Sequence, residues 1–334
     1  MMSYMRTMDD NGDINSYPKF PEMIDALNII LGHDARSKQG EITAIGGSRF
    51  FPFNKNSITT SLTQDYRTLI AARGFFQSAR LATGRLLLNT NITHGVFRVA
   101  GKMDQIMKSL AIQQVARGDH KLKRLVGAFA KFLPRAKVWA TFTIGNGTNV
   151  RRSKTLQGIV TKLTASSADG PNRPTVNPAY EYPGPKNIKF WLEEENRFIT
   201  VHDYYKKKYG MNLQDFPVLN LGTSKRPTFF PAEVIEIQPG QCVKAKLTGE
   251  ETTVMLAFAC RTPYENALSI SSDARKVLQY DDNATLEKFG VSVDKNLATV
   301  NGRVLNVPAV AYIDATKKKM SVKWIPEHES CQGR

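Results

Sequence analysis

Aromatic and basic residues alternate through the middle of the chain. The aromatic residues are Phe190, Tyr204, Tyr205, Tyr209, Phe229 and Phe230, and the basic residues among them are Lys206, Lys207, Lys208, Lys225 and Arg226. Basic side chains attract phosphate, aromatic rings stack on unpaired bases at about 1–3 kcal/mol per base, and tyrosine hydroxyls donate to phosphate oxygens. A packed core accounts well for Tyr205 and the phenylalanines, but poorly for a run of lysines beside tyrosines. The pattern therefore favours contact with single-stranded nucleic acid.

The composition agrees with that chemistry. The chain has 334 residues, a formal net charge of +16 and a hydrophobic content of 41%, with a pI near 9.7. A positive surplus of this size attracts polyanions, and it favours nucleic acid over an anionic membrane surface. A basic surface that serves only solubility is the remaining alternative. No apolar run approaches the roughly 18–20 residues of a membrane span, and the polar start is not a targeting peptide, so we expect a protein of the cytosol or the nucleus.

The residue types that carry enzymatic chemistry are scattered. Three cysteines (Cys242, Cys260, Cys331) lack the close spacing of zinc ligands, and five histidines (His33, His94, His120, His202, His328) lie far apart. The acidic runs Asp281-Asp282 and Glu193–Glu195 are typical of solvated loops. The sequence thus predicts no metal site, no cofactor, no catalytic residues and no enzyme activity.

The elements that must position the aromatic and basic residues follow from local patterns. Thr200–Tyr209 predicts a helix, because Thr200 is a suitable N-cap, acid precedes base along the segment, and Gly210 follows. Strands are predicted at Val138–Ile144, Leu156–Leu163, Ile188–Leu192, Phe216–Leu221 and Pro231–Ile237, with a long loop at Ala165–Lys186. Thr248 and Glu251 form a capping box for a helix that runs to about Cys260.

The flanking regions show simpler patterns. Strands are predicted at Ala26–His33 and Leu86–Asn89, near a Phe50–Phe53 segment that follows a glycine turn, so the front of the chain is interpreted as a small sheet. Helices are predicted at Ala100–Val115, His120–Leu133 and Ala267–Tyr280, and strands at Phe289–Val293 and Gly302–Val310. The basic amphipathic helix His120–Leu133 fits packing on its own domain better than binding to a membrane, a partner or nucleic acid.

These segments together resemble the Argonaute family. The stretch from Ile199 to Pro263 (ITVHDYYKKKYGMNL through KLTGEETTVMLAFACRTP) is similar to the second half of an Argonaute PAZ domain. Arg73–Phe97 resembles the first linker, FFPF at Phe50 the end of the N-terminal domain, and Phe289–Tyr312 the second linker. The resemblance covers residues 24–325 in the family's order, and it looks closest to fungal Argonautes.

The resemblance implies an α+β fold. Its centre would be a small PAZ β-barrel, similar to an OB-fold, with an inserted helix and hairpin clip, flanked by α+β N-terminal and linker regions. We expect a partial N-terminal domain at 1–65, a first linker at 66–125, the PAZ domain at 126–263 and a second linker at 264–334.

The resemblance also implies roles for single residues in a pocket around residues 186–262. Tyr204 and Tyr209 fall where the family contacts phosphate, Phe190 where it stacks on the terminal base, and Phe230 at the wall under the terminal sugar. Arg152 falls at a basic phosphate-contacting position.

The chain departs from the family in the hairpin that carries Arg152. Lys154 replaces an expected tyrosine, a histidine often found in the hairpin falls near Asn146, and the loop Ala165–Lys186 is longer than usual. An ammonium at Lys154 can contact phosphate with less directionality than a hydroxyl. The remaining candidate contacts are Tyr205, Lys225 and Arg226.

The implied function is to hold the 3′ end of a single-stranded small RNA in RNA silencing. The segments for the family's nuclease domain and 5′-phosphate pocket do not follow in this sequence, so we expect binding without cleavage. The alternative is a non-cleaving scaffold or competitor in silencing. A Dicer nuclease fits less well, because Dicers carry helicase and RNase III segments instead of these linkers. RNA-silencing proteins are further candidate partners; no membrane and no obligate oligomer are expected.

Overall fold

The computed structural model of the chain describes residues 20–38, 40–62, 68–82, 85–143, 148–244, 246–299, 309–313 and 319–323. The helices are α1 (Pro21–Ser37), α2 (Met103–Ser109), α3 (His120–Ala130), α4 (Lys162–Ser166), α5 (Val201–Tyr209), α6 (Gly249–Ala259), α7 (Pro263–Ser271), α8 (Asp273–Leu278) and α9 (Ala284–Lys288). The strands are β1 (Ile42–Ile45), β2 (Arg49–Pro52), β3 (Ile58–Ser61), β4 (Leu69–Ala82), β5 (Arg85–Arg98), β6 (Gly101–Lys102), β7 (Val115–Ala116), β8 (Lys137–Thr143), β9 (Asn149–Thr155), β10 (Gly158–Ile159), β11 (Thr175–Val176), β12 (Tyr180–Tyr182), β13 (Ile188–Leu192), β14 (Arg197–Thr200), β15 (Leu219–Asn220), β16 (Phe229–Phe230), β17 (Ile235–Ile237), β18 (Ala309–Ile313) and β19 (Lys319–Lys323). The mixture of helices and antiparallel sheets confirms the α+β class.

The front of the chain forms an antiparallel sheet covered by α1. The strand order is β1-β2-β4-β3, and β5 pairs with β4 along its whole length, from Leu69 opposite Arg98 to Ala82 opposite Arg85. The strand predicted at Ala26–His33 is wrong, because this segment lies inside α1. Leu27, Leu31 and Ala35 recur every four residues and are buried, so the apolar run has helical rather than strand periodicity.

The central region is built on two small sheets that share one hydrophobic core. One sheet has the order β6-β17-β8-β9 and the other the order β10-β15-β16. Val138 and Ile237 from the first sheet belong to the same buried cluster as Leu219 and Phe230 from the second. This cluster is therefore the core on which the candidate site rests.

The small β-barrel implied by the resemblance does not close among the described residues. Its strands β10, β15 and β16 contain two residues each. Pro231 directly follows β16 and has no N–H to continue the ladder. The predicted strands at Leu156–Leu163, Phe216–Leu221 and Pro231–Ile237 are correspondingly shorter than expected, and α4 begins inside the first of them at Lys162.

A third small sheet stands next to α5. Its order is β11-β13-β14, with Phe190 opposite Ile199 and Trp191 opposite Phe198. The predicted strand Ile188–Leu192 and the predicted helix ending at Tyr209 are confirmed. The segment Ala165–Lys186 is less irregular than expected, since it contains β11 and β12.

The last described helices are short and joined by tight turns. The predicted capping box of Thr248 and Glu251 starts α6 as expected, and a second box of Thr262 and Glu265 starts α7. The helix predicted at Ala267–Tyr280 is two helices, and the strand predicted at Phe289–Val293 is absent from that described segment. Residues 294–334 form a separate compact unit that contains the β18–β19 hairpin.

Several sequence predictions lie wholly or mostly outside the described residues, namely the strand Gly302–Val310, the position near Asn146, Cys331 and His328. Within the described ranges, none of the helices combines the length and the apolar character needed to cross a bilayer.

Candidate nucleic-acid interface

Helix α5 carries the three tyrosines and is fixed at both ends. The Thr200 hydroxyl accepts a hydrogen bond from the Asp203 backbone N–H at 3.0 Å and donates one to the Asp203 carboxylate at 2.6 Å. Hydrogen bonding to Thr200, and then to His202, lowers the pKa of Asp203, which keeps the carboxylate ionised at the positive end of the helix. Gly210 ends the helix in the left-handed region, with φ of 66°. The first and last residues of the short helix are therefore fixed by its caps, and so are the directions of its tyrosine side chains.

The tyrosines pack with Phe190 and Phe229 into what we call the aromatic cluster (Phe190, Tyr204, Tyr205, Tyr209 and Phe229). The ring of Tyr204 lies edge-on to Phe190 at 5.4 Å between centroids, to Tyr205 at 5.6 Å and to Tyr209 at 6.2 Å. Phe190 also lies 6.4 Å from Phe229. Edge-on pairs of this kind favour a fixed arrangement of rings, so the exposed faces of the cluster are held in place.

The residues of the aromatic cluster differ in how deeply they are buried. Tyr205 is only 6% exposed, whereas Phe190, Tyr204 and Tyr209 are half-buried at the edge of the core. Burial raises the pKa of Tyr205 far above its usual range, and the neighbouring Tyr209 and Tyr204 raise it further. Tyr205 is thus placed as a core residue, which limits it as a contact for a base or a phosphate.

The hydroxyls of Tyr204 and Tyr209 lie near one ammonium group. Lys208 donates a hydrogen bond to the Tyr204 hydroxyl at 2.9 Å, and its nitrogen lies 5.1 Å from the Tyr204 ring centroid. This hydrogen bond raises the pKa of Lys208, so the ammonium stays charged. Burial raises the pKa of the Tyr209 hydroxyl, and Tyr204 adds to the rise. Phenol hydroxyls beside a charged ammonium form a group of donors that suits an anionic oxygen.

Another lysine of α5, Lys207, has an acidic partner. Lys207 lies 2.7 Å from the Glu195 carboxylate, which also pairs with Arg197 at 2.6 Å. The hydrogen bonds from Lys207 and Arg197 lower the pKa of Glu195. Glu195 thereby ties α5 to the turn between β13 and β14, a structural contact that the sequence pattern did not reveal.

Phe229 and Phe230 line the inner side of the site. Phe230 is 6% exposed and lies opposite Leu219 in the β15–β16 pair. The buried Asn220 side-chain oxygen accepts hydrogen bonds from the N–H groups of Gly222 and Thr228, each at 2.9 Å, which closes the turn between these strands. Phe230 is therefore part of the wall of the core, and its place beneath a terminal sugar stays a prediction.

Lys225 and Arg226 occupy the tip of that turn. The Arg226 carbonyl accepts a hydrogen bond from the Thr223 N–H, the Arg226 N–H donates one to the Thr223 hydroxyl, and both basic side chains are exposed. The Lys225 ammonium lies 3.8 Å from the Asp169 carboxylate. An exposed pair at this distance is weak, so Lys225 keeps most of its attraction for other anions.

The β8–β9 hairpin places Arg152 and Lys154 on one face. Arg152 lies opposite Ala140 and Lys154 opposite Val138, and both of these partners are fully buried. Because directly opposed residues share a face, the two basic side chains extend from the core-facing side of the sheet at its open edge. This core also contains Tyr205 and Phe230.

Arg151 is on the opposite face of the same strand. Its guanidinium pairs with Glu236 at 2.5 Å and stacks on the Trp139 ring at 4.9 Å from the centroid. Neighbouring residues of a strand point to opposite faces, so Arg151 and Arg152 lie on opposite faces of the hairpin. The described residues contain no group of three or more His, Cys, Asp or Glu side chains able to hold a metal ion.

Comparisons with known proteins match the same regions. Three family profiles match, the Argonaute linker 1 domain at residues 46–99, the PAZ domain at 171–256 and the Argonaute linker 2 domain at 265–312. Protein argonaute 1A of rice (Oryza sativa subsp. japonica) is 24% identical over 74% of this chain, and protein argonaute 5 of Arabidopsis thaliana is 30% identical over 74%. The chain spans 20% and 22% of these relatives, respectively.

The fold comparison agrees. A crystal structure of Kluyveromyces polysporus Argonaute with a guide RNA superposes with a TM-score of 0.51 at 19% identity, covering 92% of this chain and 33% of that one. The profile matches define a PAZ domain that lies between two linker domains along the sequence. Since those three profiles follow one another in a single family's order, the chain belongs to the Argonaute family. The closeness to fungal members and the domain boundaries given above stay predictions.

Proposed function

We propose that the chain binds the 3′ end of a single-stranded small RNA and serves as a guide-binding module in RNA silencing, without cleaving RNA. The observation that carries this proposal is the convergence of the Tyr204 and Tyr209 hydroxyls with the Lys208 ammonium beside the half-buried Phe190 ring. Phosphate oxygens accept hydrogen bonds from the hydroxyls and the ammonium, and an unpaired base stacks on the ring.

In this proposal each side of the site has its own task. Tyr204, Tyr209 and Lys208 hold the last phosphodiester, Phe190 stacks on the terminal base, and Phe230 lies beneath the terminal sugar. Arg152 and Lys154 reach the same phosphates from the hairpin. The core-facing register of the hairpin supports this assignment, and Lys225 and Arg226 add attraction from the turn. Tyr205 contributes through packing.

The test compares two RNAs of equal length and charge, one with a free 3′-hydroxyl and one with a bulky 3′ block. We expect the free end to bind at roughly micromolar affinity and the blocked end to bind much more weakly, because an enclosed terminal site excludes the added group. Fluorescence anisotropy with 5′-labelled RNA measures both. Equal affinities would contradict an end-binding site and leave only nonspecific electrostatic binding.

The residues of the site are tested by the pair Tyr204→Ala and Tyr209→Ala in one chain. This variant should lose the preference for a free 3′ end and keep salt-sensitive background binding. Tyr264→Ala is the matched control, because Tyr264 is 77% exposed on α7 and outside the aromatic cluster. Normal end preference in the double variant would mean that other residues form the site.

A non-cleaving scaffold or competitor is the second candidate function. The exposed apolar side chains of Leu256, Tyr264 and Leu268 on α6 and α7 favour it, since such side chains are common at protein interfaces. The two candidates are separated by RNA binding, because a pure scaffold shows no preference for a free 3′ end. In either case, incubation with RNA and Mg²⁺ or Mn²⁺ should give no cleavage.

A further inference from the structure

Basic side chains surround Ser153 in strand β9. Arg151 and Arg152 precede the serine, and Lys154 follows it. The side chains of residues 151–155 are all exposed. The function proposed above uses Arg152 and Lys154, but it gives no task to the serine hydroxyl between them. An exposed hydroxyl in a basic segment is a candidate for covalent modification.

The backbone around Ser153 is extended and lies at the edge of its sheet. Strand β9 is the last strand in the order β6-β17-β8-β9, and among the described strands it pairs with β8 alone. An edge strand directs one row of its N–H and C=O groups away from the ladder. A second protein that acts on an extended segment can therefore approach Ser153 from that side.

The Ser153 hydroxyl is held by a neighbouring strand end. Its oxygen accepts a hydrogen bond from the Gln238 side-chain amide at 2.9 Å, and the same amide donates to the Val138 carbonyl at 3.3 Å. Ser153 lies opposite Trp139, on the face that also carries Arg151. Because the oxygen accepts the bond from Gln238, the O–H proton is not used in it and can be transferred to a base.

A phosphate ester on Ser153 would change the charge of the hairpin. Such an ester adds about −1.5 to −2 charges near neutral pH, which offsets most of the positive charge of Arg151, Arg152 and Lys154 together. On its own face the ester would meet Arg151, which already pairs with Glu236. The added negative charge would therefore act mainly against the attraction that Arg152 and Lys154 exert on other anions.

We propose that Ser153 is a phosphorylation site, and that its phosphate weakens binding of the RNA 3′ end by offsetting the charges of Arg152 and Lys154. The proposal rests on the proposed function, since it assigns a means of regulation to the same site. The enzyme would be a protein kinase that selects basic residues beside its serine. The bond between Ser153 Oγ and the γ-phosphorus of ATP forms while the bond from that phosphorus to ADP breaks, and the hydroxyl proton passes to the kinase's catalytic carboxylate.

The first experiment tests whether the folded chain accepts a phosphate at this position. The whole protein is incubated with MgATP and a serine kinase of the protein kinase C type, and peptide mass spectrometry locates the phosphate. We expect modification at Ser153 and much less at Ser37, a matched serine between Arg36 and Lys38, because Ser37 is the last residue of helix α1 and is not extended. A peptide of residues 149–157 confirms that the kinase is active on this sequence. Absence of phosphate from Ser153 in the folded protein would overturn the proposal.

The second experiment measures the effect of the added charge on binding. Phosphoserine placed at position 153 by codon reassignment and the variant Ser153→Asp are compared with Ser153→Asn, which has the shape of aspartate without its charge. Ser37→Asp controls for the change in net charge at an exposed position outside the site. Anisotropy with 3′-free and 3′-blocked RNA measures binding over a series of chloride concentrations. Thermal unfolding checks that each protein is folded.

Phosphoserine at position 153 should weaken binding of 3′-free RNA by roughly tenfold at low salt, and Ser153→Asp by roughly threefold, as expected for exposed charges a few ångströms apart in water. The loss should shrink as the salt concentration rises, because salt screens exposed charges. Binding of 3′-blocked RNA should change less, since the blocked end is excluded from the site. Ser153→Asn and Ser37→Asp should both stay within about twofold of the unchanged protein.

Equal weakening by Ser153→Asp and Ser37→Asp would overturn the proposal, since the effect would then come from net charge alone. Equal weakening by Ser153→Asp and Ser153→Asn would also overturn it, because the loss would then come from the side chain's shape. If the unchanged protein showed no preference for a free 3′ end, the proposed function would fail instead. A normal preference that phosphoserine leaves intact would contradict only the regulation, so failures of the two proposals are distinguishable.

Discussion

At the residue scale, Tyr205 and Tyr209 are both tyrosines on the same face of α5, but their environments differ. They are four residues apart on α5, with ring centroids 5.3 Å from each other. Tyr205 lies in the core, where burial raises its pKa, whereas Tyr209 is half-buried beside Tyr204. The sequence groups them together because periodicity identifies a face but not its depth. Which of them can reach a ligand is decided by the strands that pack against the helix.

This difference predicts that the same change, tyrosine to phenylalanine, affects RNA binding at position 209 but not at position 205. Tyr209→Phe should weaken binding of RNA with a free 3′ end by roughly tenfold, because a hydrogen bond to a charged phosphate contributes about 1.5 kcal/mol or more. Tyr205→Phe should leave that affinity within about twofold. Anisotropy titrations of both variants, with urea unfolding as a check of the fold, measure this. A larger loss for Tyr205→Phe would reverse the assigned roles.

At the element scale, the close packing of β2 on β4 depends on one glycine. A Cβ atom at Gly74 would lie 2.6 Å from a ring carbon of Phe51 and closer still to the Phe50 carbonyl oxygen. Gly74→Ala should therefore lower the free energy of unfolding by about 1–3 kcal/mol, the usual cost of overpacking. Gly47→Ala is the matched control in the neighbouring turn, where nothing lies within 4 Å of the added atom. Urea denaturation that found equal stability for both variants would contradict this packing.

Elements with local signals were predictable, and elements made by distant contacts were not. Helix α5 and the capping box of α6 have their cap residues within four positions of the helix start, so the sequence alone predicts where they begin. The apolar run Ala26–His33 inside α1 predicts a strand, because the run is short and its helical face is evident only with the sheet that packs against it. The core-facing side of Arg152 likewise depends on the pairing of β9 with β8. The register of this hairpin depends on its turn and on the buried partners in β8, which the residues of β9 alone do not specify.

At the scale of the whole molecule, the net charge of +16 predicted a polyanionic ligand but not the places where charge is concentrated. The acidic residues resolve that question. Glu195 pairs with Lys207 and Glu236 pairs with Arg151, whereas the Lys208 ammonium lies beside the Tyr204 hydroxyl. The ion pairs thus distinguish basic residues that serve structural contacts, such as Lys207 and Arg151, from Lys208, which lies beside a candidate phosphate donor.

The global stability of the fold should fall in mildly acidic solution, and His94 is the reason. Burial lowers the pKa of His94 below its usual 6.5, and the positive charges of Arg73 and Arg261 lower it further. Arg73 lies directly opposite His94 in the β4–β5 pair, and the His94 ring packs edge-on against Phe258 at 5.5 Å. The unfolded chain binds the proton near 6.5, but the folded chain binds it only at lower pH. Stability is therefore fully present above 6.5 and is lost as the pH falls through the folded pKa.

Urea unfolding at one pH above 6.5 and one below it measures this loss. His94→Gln removes the titrating group, so its loss of stability on acidification should be smaller than that of the unchanged protein. His120→Gln, at the exposed start of α3, is the control and should keep the full loss. If His94→Gln lost as much stability as the unchanged protein, the acid sensitivity would come from other groups. If neither protein lost stability, the two arginines would not oppose protonation at this position in the folded chain.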